Sequence, residues 1–214
     1  MNNIVILGAG GFAREVAWLI EDINVQDSMW NLIGYVEESD ENVGKNLNGF
    51  NVIGDFSNLK DYYDGELYYV CAVGDPNLKV KFSNKAKELG MKPAILIHPN
   101  VKISKYNKIG DGAIICAGCI ITVNATIGEH VILNIDTTVG HDSVIGNYST
   151  VLPSVNISGN VVLGENCNIG TATSIINKVN IGTNVTIGAG AVVVKDIPSN
   201  CTAVGIPAKP IKFY

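Results

Sequence analysis

Ile127-Gly128-Glu129-His130-Val131-Ile132-Leu133-Asn134-Ile135-Asp136-Thr137-Thr138-Val139-Gly140-His141-Asp142-Ser143-Val144-Ile145 returns to an aliphatic side chain at every sixth residue. Followed outward, the register runs from Ile97 to Val193 without a miss: Ile103, Ile109, Ile115 and Ile121 on one side, Val151, Ile157, Leu163, Ile169, Ile175, Ile181 and Ile187 on the other. Four residues after the aliphatic stands a smaller partner, as at Ala113, Cys119, Ala125, Thr137, Ser143, Ser149 and Cys167. A period of six is neither the 3.6 of a helix nor the alternation of a long strand. It is the period of a solenoid in which each hexad supplies a short strand and a corner and buries its aliphatic only against the coils on either side. Three hexads make a triangular coil, and coils about 4.8 Å apart give a prism of nearly six turns. Glycine follows the aliphatic at 110, 128, 140, 146, 164, 170, 182 and 188. These glycines read as the residues that let tight corners recur.

With 214 residues, 47% of them hydrophobic, the chain is long enough for a large core and one or two domains. A formal charge of −5 leaves no basic footprint, so nucleic acid is not expected as a partner. No apolar run approaches the roughly 20 residues that span a bilayer, and the N-terminus begins as a strand, so the expectation is a cytoplasmic protein without membrane insertion. The five cysteines form no disulfide framework. Cys116-x-x-Cys119 diverges, one residue at a corner and one inward, and reads as core and turn filler rather than a metal site.

Upstream of the repeats, Asn3 to Leu7 is an apolar strand leading into Gly8-Ala9-Gly10-Gly11-Phe12-Ala13 and a helical pattern from Arg14 to Ile20. Strand, glycine-rich turn and helix open a βαβ unit whose helix N-terminus suits an anion. A second strand, Leu32 to Val36, ends on Glu37 and Glu38, where a dinucleotide fold places its ribose-binding acid. A third strand at 67–73 runs into Gly74-Asp75-Pro76, a helix follows near 77–89, and a last strand at 93–97 closes the domain. The domain is too short for a full dinucleotide site, and a ligand crevice is expected above Gly10, Gly11, Glu37 and Gly74. The joint Ile97-His98-Pro99 leaves almost no linker, so the expected division is 1–96, 97–198 and a tail, 199–214.

Among the three histidines, His98 reads as structural or exposed at the joint and His130 as solvated surface at a corner tip. His141 is followed by Asp142, the pairing of a general base with an orienting acid. One coil on, eighteen residues away, stands Gly159, which leaves space beside the imidazole.

The hexad pattern, the Gly-rich βαβ start, the run Ile132-Leu133-Asn134 with His141-Asp142 behind it, and the tail Gly205-Ile206-Pro207-Ala208-Lys209 resemble the NeuD/PglD-like sugar acyltransferases. The resemblance implies an α/β Rossmann-like domain followed by an all-β left-handed parallel β-helix of hexapeptide repeats. It implies an acetyl-CoA-dependent acetyltransferase without a metal, assembled as a homotrimer with sites between subunits. His141 would be the base, with Asp142 and Asn134 beside it; Asp142 stands where several relatives have Glu. Thr150 (where relatives often have a second histidine), Gly159, Thr171, Ala189 and Lys209 would meet the coenzyme, with Lys195 and Lys212 further candidates for its phosphates. Gly10, Gly11, Phe12, Glu37, Glu38 and Gly74 would hold a nucleotide-linked sugar. The leading acceptor is the amino group of a nucleotide-linked 4-amino-4,6-dideoxy sugar used in surface glycan synthesis. Alternatives are O-acetylation of a sialic acid-type sugar, a nicotinamide-dependent enzyme, and a non-catalytic β-helix scaffold.

Overall fold

The computed structural model describes residues 1–38, 40–59 and 65–214. Within it the chain forms two compact units, Met1–Pro99 and Asn100–Tyr214.

The first unit is an α/β sheet. Strands β1 (Asn2–Leu7), β2 (Trp30–Val36), β3 (Asn46–Leu47), β4 (Phe50–Gly54), β5 (Tyr68–Cys71) and β6 (Lys92–Pro93) lie in the order β3-β4-β2-β1-β5-β6. Only β3 runs antiparallel to its neighbour. Helix α1 (Gly11–Gln26) extends well beyond the pattern read from the sequence and buries Ala13, Val16, Ala17, Leu19, Ile20 and Ile23. Helix α2 (Pro76–Glu88) begins at Asp75, whose carboxylate accepts a hydrogen bond from the Leu78 N–H at 2.9 Å. The β3–β4 hairpin was not expected, although Leu47-Asn48-Gly49-Phe50 carries its signal. Asn48 (φ 50°) and Gly49 (φ 91°) both adopt the left-handed region that a tight two-residue hairpin turn demands. Because β1 connects to β2 on one side and pairs with β5 on the other, the strand order reverses beside β1, and a crevice opens at its carboxyl end. His98 is tied to α1 through Asp22 at 3.0 Å, the structural one of the two roles expected of it.

Lys79 on α2 is fully buried, and loss of hydration pushes its pKa down to about 7.

The second unit is a left-handed parallel β-helix with three faces of two- and three-residue strands. Face one stacks Ile114–Ile115, Ile132–Leu133, Thr150–Val151, Asn168–Ile169 and Val185–Ile187; face two runs from Lys102–Ile103 through Thr138–Val139 to Val192–Val193; face three runs from Lys108–Ile109 through Val144–Ile145 to Asn180–Ile181. Each strand pairs with the one eighteen residues on, as Ile114 with Ile132 and Thr138 with Asn156. From Ile115 to Val193 every sixth aliphatic is buried to 2% exposure or less, so the sequence register is the core register. The tail does not trail away: Cys201–Gly205 adds to face one and Ala208–Phe213 folds back antiparallel against it. No helix among the described residues is long and apolar enough to cross a membrane.

The corners correct one expectation. The glycines that follow the aliphatics do not carry the unusual backbone angle. That angle falls two residues later, at every sixth position from Gly112 to Gly190, and the list includes Asn124, His130, Asp136, Asp142, Asn160 and Asn184 with φ between 54° and 59°. What Gly140, for example, supplies is close approach: a Cβ there would lie 2.5 Å from the Gly159 nitrogen in the next coil. The small inward residues also do more than save space. Ser143 and Ser149 donate to the Ser158 and Gly164 carbonyls at 2.9 Å and accept from the Val161 and Cys167 N–H groups, satisfying corner backbone that would otherwise be buried unpaired.

His130 is not solvated. It is 1% exposed and stacks on Tyr148 with ring centroids 5.2 Å apart. The Gly112 ahead of it makes the room, since a Cβ there would stand 2.1 Å from His130 Nδ1. Cys116 and Cys119 are both buried, and Cys119 donates to the Asn134 carbonyl at 3.2 Å, its thiol pushed up to about 11 by burial.

Candidate active site

In the first unit, Gly8, Ala9, Gly10, Gly11, Phe12, Glu37, Ala72, Val73, Gly74, Asp75, Leu78 and Phe82 enclose a cleft of about 440 Å³ at the carboxyl edge of the sheet. Five of the six residues expected to hold a sugar nucleotide meet there. Gly10 has an ordinary φ of −76°, and a Cβ on it would meet nothing within 4 Å. No internal contact demands glycine at that point, which faces open space. Helix α1 starts there with no side-chain cap and no acid in its first turn. Its first N–H groups and their partial positive charge are left for an anion. The Arg14 guanidinium folds back over Gly11, Nη2 lying 3.8 Å from where a Cβ would be.

The two acids part company. Glu37 lines the cleft, one carboxylate oxygen accepting from Asn42 Nδ2 at 2.8 Å. Glu38, expected beside it, turns the other way at the bend that follows β2. It pairs with Lys81 at 2.6 Å and Lys85 at 3.6 Å on α2, and the Lys81 hydrogen bond holds its carboxyl below the usual carboxylate range. Glu38 braces α2 rather than lining the cleft.

In the β-helix, His141 and Asp142 occupy a corner between face two and face three. Asp142 takes the left-handed turn at φ 59°, its N–H donating to the Val123 carbonyl at 3.0 Å, while the His141 carbonyl accepts from Asn160 N–H at 2.8 Å. The corner is therefore stapled to the coil before and the coil after. From this rigid base His141 Nδ1 lies 2.8 Å from Asp142 Oδ2, and Asn124 Nδ2 donates to the other oxygen, Oδ1, at 3.2 Å. The His141 hydrogen bond first, and that from Asn124 second, keep the Asp142 carboxyl below its ordinary range. An ionised carboxylate at Nδ1 makes that nitrogen the N–H donor, which leaves Nε2 with a lone pair on an imidazole whose side chain is 57% exposed. The space expected at Gly159 is taken by the ring itself: a Cβ on Gly159 would be 2.5 Å from Nε2 and 2.7 Å from Cε1. Aspartate reaches the imidazole without the extra carbon of Glu.

The other expected residues are not gathered at this corner. Thr171 and Ala189 are exposed at the opposite edge of face two, between face one and face two, and Asn134 lies on that same edge. Asn134 is 7% exposed and its Oδ1 accepts from its neighbour's N–H, that of Ile135, at 2.7 Å. Its Oδ1 thus serves the turn, and Nδ2 is its donor. Thr150 is 2% exposed. Lys209 is exposed on the returning strand of the tail, opposite Val204. Asn124 was not anticipated; the signal was its place eighteen residues before Asp142.

Residues 3–86 match the family model described as the PglD N-terminal domain. Over 163 residues the chain is 32% identical to the GDP-perosamine N-acetyltransferase of Escherichia coli O157:H7, covering 76% of this chain and 73% of that protein. The acetyltransferase domain of PglB from Neisseria gonorrhoeae FA1090, solved with acetyl coenzyme A, superposes with a TM-score of 0.89 at 32% identity, covering 99% of this chain and 100% of the domain. PerB from Caulobacter crescentus, solved with CoA and GDP-perosamine, superposes with a TM-score of 0.90 at 29% identity over 99% and 98% of the two chains. The chain belongs to the NeuD/PglD-like family of hexapeptide-repeat sugar acetyltransferases.

Proposed function

We propose that this protein transfers the acetyl group of acetyl-CoA to the amino group of a nucleotide-linked 4-amino-4,6-dideoxy sugar, with His141 as general base. The observation that carries the reading is the His141 corner: an imidazole held at Nδ1 by Asp142, with Nε2 laid over Gly159 on a side chain that is 57% exposed. The neutral sugar nitrogen adds to the thioester carbonyl, Nε2 takes the proton the nitrogen sheds, and collapse of the adduct breaks the C–S bond while the thiolate leaves and is protonated by the imidazolium. The nitrogen acceptor is supported by the name of one relative, a GDP-perosamine N-acetyltransferase, and by the amino sugar nucleotide bound in another, PerB. The sugar nucleotide belongs in the first unit's cleft, its phosphates at the bare α1 N-terminus with Arg14 and its nucleoside near Glu37.

The coenzyme is assigned to Gly159, Thr171, Ala189 and Lys209, and the last of these brings the tail into the site. Because His141 and the Thr171 and Ala189 edge flank opposite sides of one face, the reading calls for a homotrimer in which adjacent copies bring the two edges together. The five free, buried cysteines fit a reducing compartment, the cytoplasm.

The test follows thiol release from acetyl-CoA with GDP-perosamine, other nucleotide amino sugars and sialic acid in parallel, for wild type and His141→Ala. Release with amino sugars that falls at least about a hundredfold in His141→Ala is expected. Near-normal turnover in that variant removes the base assignment, and release with sialic acid alone removes the acceptor.

A further inference from the structure

Asp142 has two oxygens, and the imidazole uses one. The second accepts from Asn124, which stands in the coil before it at the same corner, with φ 57° against 59° for Asp142. Asn124 is joined to that corner by backbone as well, since its neighbour Val123 accepts the Asp142 N–H. Side-chain rungs of this kind recur along the solenoid, as from Asn147 to Glu165 at 3.1 Å and from Asn184 to Asn200 at 3.0 Å. This rung alone among those named ends on a carboxylate bonded to an imidazole.

Asp142 is 48% exposed, and a carboxylate's terminal torsion is soft, so a single hydrogen bond from His141 would let it swing toward water. A second donor on the far oxygen stops that rotation. We propose that Asn124 is a positioning residue for the base: by gripping Asp142 Oδ1 it aims Oδ2 at Nδ1 and keeps His141 in the tautomer whose Nε2 accepts the proton. The proposal rests on the assignment of His141 as base. It makes the working unit a chain of three residues drawn from two coils.

Asn124→Gly is the informative variant, because glycine adopts the left-handed corner without strain while losing the amide. Asn124→Asp, equal in shape but an acceptor facing Asp142, is the companion. Each is measured alone and combined with Asp142→Asn, for kcat, for the KM of acetyl-CoA, and for the His141 tautomer by ¹⁵N NMR, with the His141→Ala spectrum identifying its signals among the three histidines. Asn124→Gly is expected to lower kcat about fivefold to tenfold with KM unchanged, and to shift His141 away from the Nδ1–H tautomer. Asn124→Asp is expected to lose more. In the Asp142→Asn background neither should cost anything further, as residues acting through one partner are not additive. Unchanged kcat and tautomer in both variants, or the same loss on top of Asp142→Asn, overturns the proposal. The tautomer is read without turnover, so a failure of the general-base assignment, seen as an active His141→Ala, is distinguished from a failure of this one.

Discussion

A single methyl group at Gly159 should disable the base without disturbing the fold. Its Cβ would stand 2.5 Å from His141 Nε2, whereas ordinary contact begins near 3.4 Å, so the ring must retreat by the difference, about 0.9 Å. Asp142 cannot follow, because its other oxygen is held by Asn124 and its N–H by Val123. The 2.8 Å bond to Nδ1 is therefore stretched or lost as Nε2 leaves its position. A displacement near 1 Å in a catalytic group costs on the order of a hundredfold, or about 2.7 kcal/mol in the barrier. Gly159 does not occupy the left-handed region, and the nearest atoms to its missing Cβ all belong to a movable side chain, so stability should change by no more than about 0.5 kcal/mol. The assay is steady-state thiol release at saturating acetyl-CoA and acceptor, with thermal unfolding alongside. Gly159→Ala is expected to lose kcat and to add little in a His141→Ala background. If its KM for acetyl-CoA rises while kcat holds, the methyl obstructs the coenzyme and not the ring. A kcat within twofold of wild type with an unchanged KM refutes the steric reasoning.

Glu37→Ala should raise the KM for the sugar nucleotide about tenfold, whereas Glu38→Ala should change it less than twofold and cost at most about 1 kcal/mol through its exposed ion pairs; equal effects on KM in steady-state kinetics would mean that the cleft uses both acids. Lys79 predicts a pH dependence of stability. The folded chain gives up this proton near pH 7, while an unfolded lysine keeps it to about 10.4, so between those values the unfolded state binds more protons and stability rises with pH. Denaturant melts at pH 7 and pH 9.5 should show that rise, on the order of a few kcal/mol at most, and Lys79→Met should flatten it; identical slopes in the two proteins would show that Lys79 is not its source.

The solenoid was legible in the chain because burial there is local: each strand pairs with the one eighteen residues away and every sixth aliphatic is buried, so the core is written as a period. The turn at Gly8 to Ala13 was legible for a similar reason, since a strand, a close turn and a helix follow one another directly. His141-Asp142 could be picked out as adjacent residues of complementary chemistry. What no linear reading settled was direction and depth at the corners. His130 and His141 stand at neighbouring positions of their hexads, yet the first is buried against Tyr148 in the room that Gly112 leaves and the second lies over Gly159. Glu37 and Glu38 are adjacent and alike, and the bend after β2 sends one into the cleft and the other to Lys81. Asn134 and Thr150 carry suitable groups, and only the folded chain shows the first bonded to its neighbour's N–H and the second 2% exposed. Asn124 joined the site only once coils were stacked, because its bond to Asp142 spans eighteen residues of sequence and one strand spacing of space. A repeat specifies which residues face inward; which of the outward ones meet, and with what, depends on contacts between coils that only the folded chain creates.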